Sequence, residues 1–301
     1  MIRSLLLASV ALILSESPAH SEEPNQAMVG PKNGSLVIMG GGGKDRTFPQ
    51  VFAHFIKLAG GKDARIVIVP TAASSSPDHN YQHSWSLDLA KSMGVKKATL
   101  LHSHDRKTAD TEAFVEPLKT ATGVWFGGGR QWRLTKAYGG TLTEKEFHKV
   151  LERGGAIGGS SAGASIQGSF LARGDTSGNT IMVGDVQQGF GFMRNTAIDQ
   201  HLIARGRQKD LLKVLEDPRK KMRKEFNRAE LLGIGIDEDV AIVVKGDQFS
   251  IIGKDQGVVL VYDPKSWKKE TPDAQKWVTL KKGDQYDLAQ RSIIPDPATK
   301  K

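Results

Sequence analysis

The run Gly159-Ser160-Ser161-Ala162-Gly163 fits the pattern G-x-S-x-G. A strand-like segment (155–157) precedes it and a helix-compatible one (162–168) follows, which is the context a nucleophile elbow requires. A strand that turns sharply into a helix strains the backbone of the residue at the corner, so the neighbours must be small. Here Gly158, Gly159, Ala162, Gly163 and Ala164 all are. Such a turn lifts the Ser161 hydroxyl to the carboxyl edge of a sheet. It also aims the next backbone N–H, that of Ala162, at a developing oxyanion. The chemistry this predicts is attack of a serine oxygen on a carbonyl carbon.

A serine nucleophile needs a base, and the chain has eight histidines. His201 leads, because it sits in Ile198-Asp199-Gln200-His201 with Arg205 and Arg207 close behind, where a strand is expected to pass into a helix. A histidine of an apolar core would not bring that polar company. The base in turn needs a carboxylate to fix its tautomer and stabilise the imidazolium. The apolar segment 232–236 ends in Asp237-Glu238-Asp239, which offers three. The order serine, histidine, acid is permitted because a triad is a geometry and not a sequence order. One element before the elbow, Val124-Trp125-Phe126-Gly127-Gly128-Gly129-Arg130-Gln131 is a second Gly-rich strand end. Its glycines allow close backbone approach and can supply another oxyanion N–H.

Other patterns carry less. The glycines at 40–43 with Lys44 look like a phosphate loop, but Asp45 stands where Ser or Thr would bind magnesium. His79 and His83 are four apart, yet Asn80 occupies the position of the zincin glutamate. His102-Ser103-His104-Asp105 has metal-ligating residue types but no evident third cluster.

The elements that must position these groups read as α/β. Short apolar runs at 36–39, 65–69, 98–101, 124–126 and 156–157 alternate with helical patterns near 48–58, 84–93, 111–119 and 144–153. Continuous apolar strands separated by helices predict a doubly wound, mostly parallel sheet with helices on both faces. A further helix is expected over 207–215. The segments 240–245, 248–253, 257–262 and 277–280 then alternate like antiparallel strands added near the C-terminus. The expected organisation is a leader linker over 22–34, one domain over 35–290 and a loose tail from 291 to 301.

The chain of 301 residues is 39% hydrophobic and 25% charged, an ordinary globular mixture. Its formal charge of +9 is scattered, with short basic clusters only at 219–221 and 268–269, and no basic stretch is interleaved with aromatics. The charge therefore reads as solvated surface and not as a nucleic-acid site. With no cysteine, disulfides, thiolate metal sites and a lipid anchor are excluded. The N-terminus reads as a cleavable signal peptide over 1–21. It has Arg3, an apolar run at 5–14 too short for a permanent membrane anchor, a break at Ser17-Pro18, and Ala19-His20-Ser21 before the cut. Secretion or periplasmic residence follows.

With these residues assembled, the sequence resembles the cyanophycinase–dipeptidase E family of serine peptidases, from about Ser35 to at least Val243. The matches run in order: the first Gly-rich strand end, Pro70-Thr71-Ala72, Gly128-Gly129-Arg130-Gln131, 159–164, Asp199-Gln200-His201 with Arg205 and Arg207, and 233–238. The cyanophycinase branch fits better than dipeptidase E, since it carries the Asp-Gln-His and Arg-x-Arg string. The resemblance implies a class I glutamine-amidotransferase-like fold, with Ser161 as nucleophile, His201 as base and Glu238 as third member. It implies an oxyanion hole of N–H groups near Gly129 and Ala162, and substrate contacts from Gln131, Asp199, Gln200, Arg205 and Arg207. The implied activity is hydrolysis of peptide or isopeptide bonds next to aspartate, without metal or organic cofactor. The implied substrate is a peptide or a polymer such as cyanophycin, aspartate bearing β-linked arginine. An aspartyl dipeptidase and a non-catalytic binding module are the alternatives, and a homodimer is left open. One position departs from the family: Asp210 stands where cyanophycinases often carry an arginine, which would reverse a charge in the pocket wall. Extra charged sequence lies around 216–224.

Overall fold

A computed structural model describes residues 28–42, 47–74 and 85–295. The expected signal peptide, Lys44 and Asp45, and the spaced pair His79 and His83 lie outside the described residues.

Five parallel strands carry the elbow: β1 (Ser35–Met39), β2 (Arg65–Val69), β3 (Lys97–Leu100), β4 (Gly123–Phe126) and β5 (Ala156–Ser160), in spatial order β3-β2-β4-β5-β1. Period-two alternation sorts their side chains to opposite faces. Val37, Met39, Ile66, Ile68 and Trp125 face α1 (Thr47–Leu58) and α2 (Trp85–Ser92). Leu36, Ile38, Val67, Val124 and Phe126 face the other layer. That layer contains α3 (Arg106–Ala109), α4 (Glu112–Lys119), α5 (Gln131–Tyr138) and α6 (Leu142–Glu152). Helix α1 buries Phe48, Val51, Phe52 and Phe55 on one stripe, each contributing roughly 1.5–3 kcal/mol.

After the elbow comes α7 (Ala162–Ser165), shorter than the helix expected over 162–168. The chain then leaves the first sheet for β6 (Gly168–Phe170), β7 (Met193–Gln200) and, beyond α8 (Leu212–Leu215), β8 (Leu232–Ile236), which are mutually parallel. It returns with β9 (Val240–Lys245) and β10 (Gln248–Gly253), antiparallel beside β1. Strands β11 (Val258–Tyr262) and β12 (Val278–Lys281) pair with β8, and β13 (Gln285–Asp287) and β14 (Ser292–Ile294) extend the first sheet past β10. The described residues thus make a nine-stranded and a five-stranded sheet.

The α/β architecture and the antiparallel additions agree with the sequence expectation; three details differ. The added strands divide between two sheets and do not all lengthen one. The helix expected over 207–215 is a series of turns ending in the four residues of α8, because the side chains of Arg207 and Asp210 are held to neighbouring strands and loops. The tail is tied down as far as Ile294 by pairing with β13. Likewise the end of the leader is anchored, the N–H groups of Val29 and Gly30 donating to Asp247 Oδ1.

Candidate active site

Strand β5 ends at Ser160 and the chain turns at once into α7. At the corner Ser161 has φ 57° and ψ −113°, a conformation that surrounding structure must enforce. The Ser161 N–H donates to the Met39 carbonyl at the end of β1 (3.1 Å), and its own carbonyl accepts from the N–H of Ala164 and Ser165. The Ala162 N–H, first in the helix, has no intrahelical carbonyl to reach. From β4 the loop through Gly127 and Gly128 comes alongside, close enough that a Cβ on Gly128 would sit 3.4 Å from that of Ser161. Gly129 follows with φ 136°, its backbone so near the Ala72 carbonyl that any Cβ would collide with it.

His201 is the first residue after β7, itself left-handed at φ 54°. Its Nδ1 lies 2.5 Å from Glu238 Oε1 and its Nε2 lies 2.8 Å from Ser161 Oγ. A carboxylate at Nδ1 places the ring proton there and leaves Nε2 to accept from the serine hydroxyl. Burial pushes the His201 pKa below its ordinary value. The Glu238 hydrogen bond opposes this, while the charges of Arg205 and Arg207 add to it. The imidazole is thus held neutral, as a base must be before it takes a proton.

The ring is seated by the glycines after β1. The His201 N–H donates to the Gly40 carbonyl (2.8 Å). Gly41, at φ 125°, presses its α-carbon against the imidazole, where a Cβ would fall among the ring atoms. Gly40 and Gly41, from the run that resembled a phosphate loop, cradle the histidine.

The three carboxylates after β8 separate by role. Asp237 Oδ1 accepts from the N–H groups of Ile203 and Ala204 and so fixes the turn behind His201. Asp239 donates its N–H to the Gly41 carbonyl, and its carboxylate packs on Gly42. Glu238, between them, meets the imidazole. Beside Ser161 and His201 opens a cleft of about 330 Å³, lined by Gly41, Gly42, Gly127 and Gly128 and by Phe48, Trp85 and Trp125.

The family model for peptidase family S51 matches residues 36–252, a span that holds Ser161, His201 and Glu238. The chain belongs to peptidase family S51. As an S51 member it is a serine-type peptidase. A cyanophycinase from Geminocystis herdmanii is 31% identical over 235 residues, which cover 76% of this chain and 80% of that protein. One from Thermosynechococcus vestitus is 30% identical over 237 residues, covering 76% and 68%. One from a Nostoc species is 26% identical over 281 residues, covering 87% and 88%. Among solved structures, a peptidase from an acI-B1 Actinobacterium superposes with TM-score 0.58 at 20% identity, covering 87% of this chain and 98% of that one, a likeness of fold.

The residues expected to contact substrate have surroundings of another kind. Asp199 is fully buried and accepts two hydrogen bonds from Arg173, at 2.7 and 2.9 Å. Arg207 is buried and donates to the backbone carbonyl and to Oε1 of Gln200. Gln131 is buried at the start of α5, its Nε2 donating to the Ala172 carbonyl. None of these four is among the residues lining the cleft at Ser161; the Arg173–Asp199 and Arg207–Gln200 hydrogen bonds brace the end of β7, while Gln131 Oε1 is buried without a hydrogen-bond partner. Of the five, only Arg205 is exposed, and its charge is felt by His201. Asp210 is turned away from the cleft lining, with Oδ2 2.5 Å from Arg173 Nη2 and Oδ1 2.6 Å from Lys213 Nζ. Arg173, 2% exposed at φ 59°, escaped the sequence reading. A lone cation in the apolar run Phe170-Leu171-Ala172-Arg173 was the signal available.

The histidine pair after β3 packs edge to face, with ring centroids 4.8 Å apart, and His104 Nε2 is buried without a hydrogen-bond partner. His102 Nδ1 lies 2.9 Å from the Thr71 hydroxyl, and Asp105 caps α3 by accepting from the N–H groups of Lys107 and Thr108. Among the described residues no three His, Cys, Asp or Glu side chains gather as a metal-binding group.

Proposed function

We propose that this S51 peptidase is exported and hydrolyses peptide or isopeptide bonds next to aspartate, with cyanophycin cut to β-Asp-Arg as its reaction. The observation that carries the mechanism is the continuous relay Ser161 Oγ, His201 Nε2, His201 Nδ1, Glu238 Oε1 at 2.8 and 2.5 Å. Ser161 Oγ attacks the scissile carbonyl while His201 Nε2 takes its proton. The oxyanion is received by the N–H groups of Ala162 and Gly129. The imidazolium, balanced by Glu238, returns its proton to the leaving nitrogen. Water, deprotonated by His201, then splits the acyl ester and restores Ser161. Positioned acid–base catalysis contributes about 10²–10⁴-fold and an oxyanion donor about 10²–10³-fold. Exposed Arg205, beside His201, is the substrate contact retained from the sequence expectation, and the buried residues around it hold the base in place.

The substrate is supported by the cyanophycinase relatives, and export by the charged, apolar and small-residue pattern over 1–21. Among the described residues no helix is long and apolar enough to cross a membrane. Digestion of purified cyanophycin, with products identified by mass, is expected to release β-Asp-Arg with the wild type and nothing with Ser161→Ala. Cleavage confined to short Asp-X peptides would favour an aspartyl dipeptidase. Failure of a fluorophosphonate to label Ser161 in folded protein would favour a binding module. A periplasmic fraction is expected to yield protein beginning at Glu22.

A further inference from the structure

The loops after β2, β3 and β4 meet at one buried hydroxyl. Thr71 is fully buried, with its Oγ1 2.6 Å from the Tyr138 phenol oxygen and 2.9 Å from His102 Nδ1. Tyr138, also fully buried, is the last residue of α5, and its phenol oxygen accepts from the Ser103 N–H at 3.1 Å. Burial pushes the Tyr138 pKa up to about 12, so the phenol keeps its proton. Each hydroxyl has one proton to give. If Thr71 donated to Tyr138, the buried phenol proton would have no acceptor among the described residues. Donation therefore runs from Ser103 N–H to Tyr138, from Tyr138 to Thr71, and from Thr71 to His102 Nδ1.

The loop that carries Thr71 also holds the Gly-rich loop beside the nucleophile. Past the strand ends the Gly127 N–H donates to the Val69 carbonyl at 3.0 Å, and the Arg130 N–H to the Ala72 carbonyl at 2.8 Å. Arg133 Nη1 donates to the same Ala72 carbonyl, at 2.9 Å. Gly128 and Gly129 lie between these anchors. At φ 136° Gly129 has no side chain to restrict it, and rotation about its α-carbon would swing its N–H. That rotation is limited by the next peptide, tied through Arg130 to Ala72, and by the packing of Gly129 on the Ala72 carbonyl. The Gly-rich loop and α5 are thus fastened to the β2 loop at two points, Arg130 to Ala72 and Tyr138 to Thr71.

We propose that Thr71 is a positioning residue for hydrolysis: its hydroxyl fixes the loop whose Ala72 carbonyl sets the direction of the Gly129 N–H toward the oxyanion. The inference rests on the peptidase reading above, with Gly129 as an oxyanion donor, and adds what holds that donor in place. The chain of hydroxyls shares no member with the relay of Ser161, His201 and Glu238. Breaking it leaves nucleophile and base intact and lets one donor drift from the point where charge develops, a loss felt in the transition state and not in substrate binding.

The test compares Thr71→Val with wild type on an Asp-X peptide, on the matching peptide aldehyde and on the matching peptide alcohol. Ser161 Oγ adds to the aldehyde carbon, its proton passing to His201, and the former carbonyl oxygen takes the oxyanion position; the alcohol has no carbonyl to place there. In Thr71→Val kcat is expected to fall about 10- to 100-fold, with KM changed by less than about twofold. Aldehyde affinity should fall by about the same factor as kcat/KM, and alcohol affinity by less than about twofold. Thr71→Ser, which keeps the hydroxyl, should return kcat to within about threefold of wild type. Tyr138→Phe breaks the chain from its other side and should reproduce the loss, and the double variant should be no slower than either single one. Circular dichroism melting shows which variants are folded, and Tyr138→Phe carries the test should Thr71→Val not fold. Unchanged kcat in a folded variant, equal losses of aldehyde and alcohol affinity, or no recovery in Thr71→Ser overturns the positioning role. A wild type that neither turns over the peptide nor is labelled by a fluorophosphonate would instead remove the peptidase reading.

Discussion

Replacing Asp210 by arginine separates two readings of that position. By family pattern the change restores a cation to a pocket wall. By structure it puts a second guanidinium beside buried Arg173. In the wild type Arg173, 2% exposed, is held by Asp199, 0% exposed, and by Asp210, 19% exposed. Asp210→Asn removes one charge-assisted hydrogen bond to the buried guanidinium, worth about 1.5–3 kcal/mol, while the Lys213 pair, with its lysine largely exposed, adds about 0–1 kcal/mol. Asp199 still neutralises Arg173, so the full cost of an unpaired buried charge is avoided. At 2–4 °C per kcal/mol, Asp210→Asn should lower the melting temperature by about 5–10 °C. Asp210→Arg adds like-charge repulsion, about 4 kcal/mol at 4 Å and an effective dielectric of 20 before the new side chain swings toward solvent. A total of about 3–5 kcal/mol, or about 8–15 °C, is expected. Arg173→Ala with Asp210→Arg offers Asp199 a guanidinium from the other side and should recover at least half of that loss. The assay is thermal melting by circular dichroism, with peptide turnover measured on the same samples. If Asp210→Arg melts at or above the wild type and lowers KM, position 210 faces substrate and the reasoning from the ion cluster is wrong.

Gly41→Ala should retain the fold but lose at least about 10²-fold in kcat, because the new methyl displaces the imidazole it touches; normal melting with normal turnover would refute the cradle. Glu238→Gln leaves the ring unfixed and should reduce kcat by about 10²–10⁴-fold, with KM little changed. The acid limb of kcat/KM should lie below the ordinary histidine value of 6.5, since burial and the two arginines depress His201. Removing a neighbouring cation with Arg205→Gln should move that limb toward higher pH. The same depression has a sign for stability. Between the folded value and 6.5 the unfolded chain binds the proton and the native histidine does not. Stability contributed by neutral His201 is therefore complete above 6.5 and falls as pH drops toward the folded value, which melting between pH 7 and 5 would detect, with His201→Gln removing the effect.

The elbow was legible because its demand is local: a strained corner tolerates only small neighbours, and five of them surround Ser161. The strands of the first sheet were legible for a similar reason, as buried parallel strands are written as continuous apolar runs. What needed the structure is non-local. Asp237, Glu238 and Asp239 are equivalent as letters and are told apart only by the turn, the ring and the loop each meets. The glycines at 40–42 signal close backbone approach, but nothing in the sequence says that the approaching group is His201. The division of the later strands between two sheets depends on partner choice, which alternation does not encode. Asp199 and Arg207 came forward as substrate contacts through the family resemblance, which says nothing of their own hydrogen-bond partners. Their partner Arg173 lies 26 residues before Asp199, and only the fold brings it to them.

The relay is drawn from both sheets. Ser161 follows β5 of the nine-stranded sheet, whereas His201 and Glu238 follow β7 and β8 of the five-stranded one, and the backbone contacts of Gly40 and Gly41 join them. Proteolytic competence is therefore a conjunction. Each sheet can be built with every strand correctly paired and the enzyme still be inert, until the seam between them closes and a proton can cross it. Gradual denaturation should extinguish turnover at the first parting of that seam, while most of the backbone ladder survives, so activity reports the docking of two layers more sharply than any spectroscopic measure of their content.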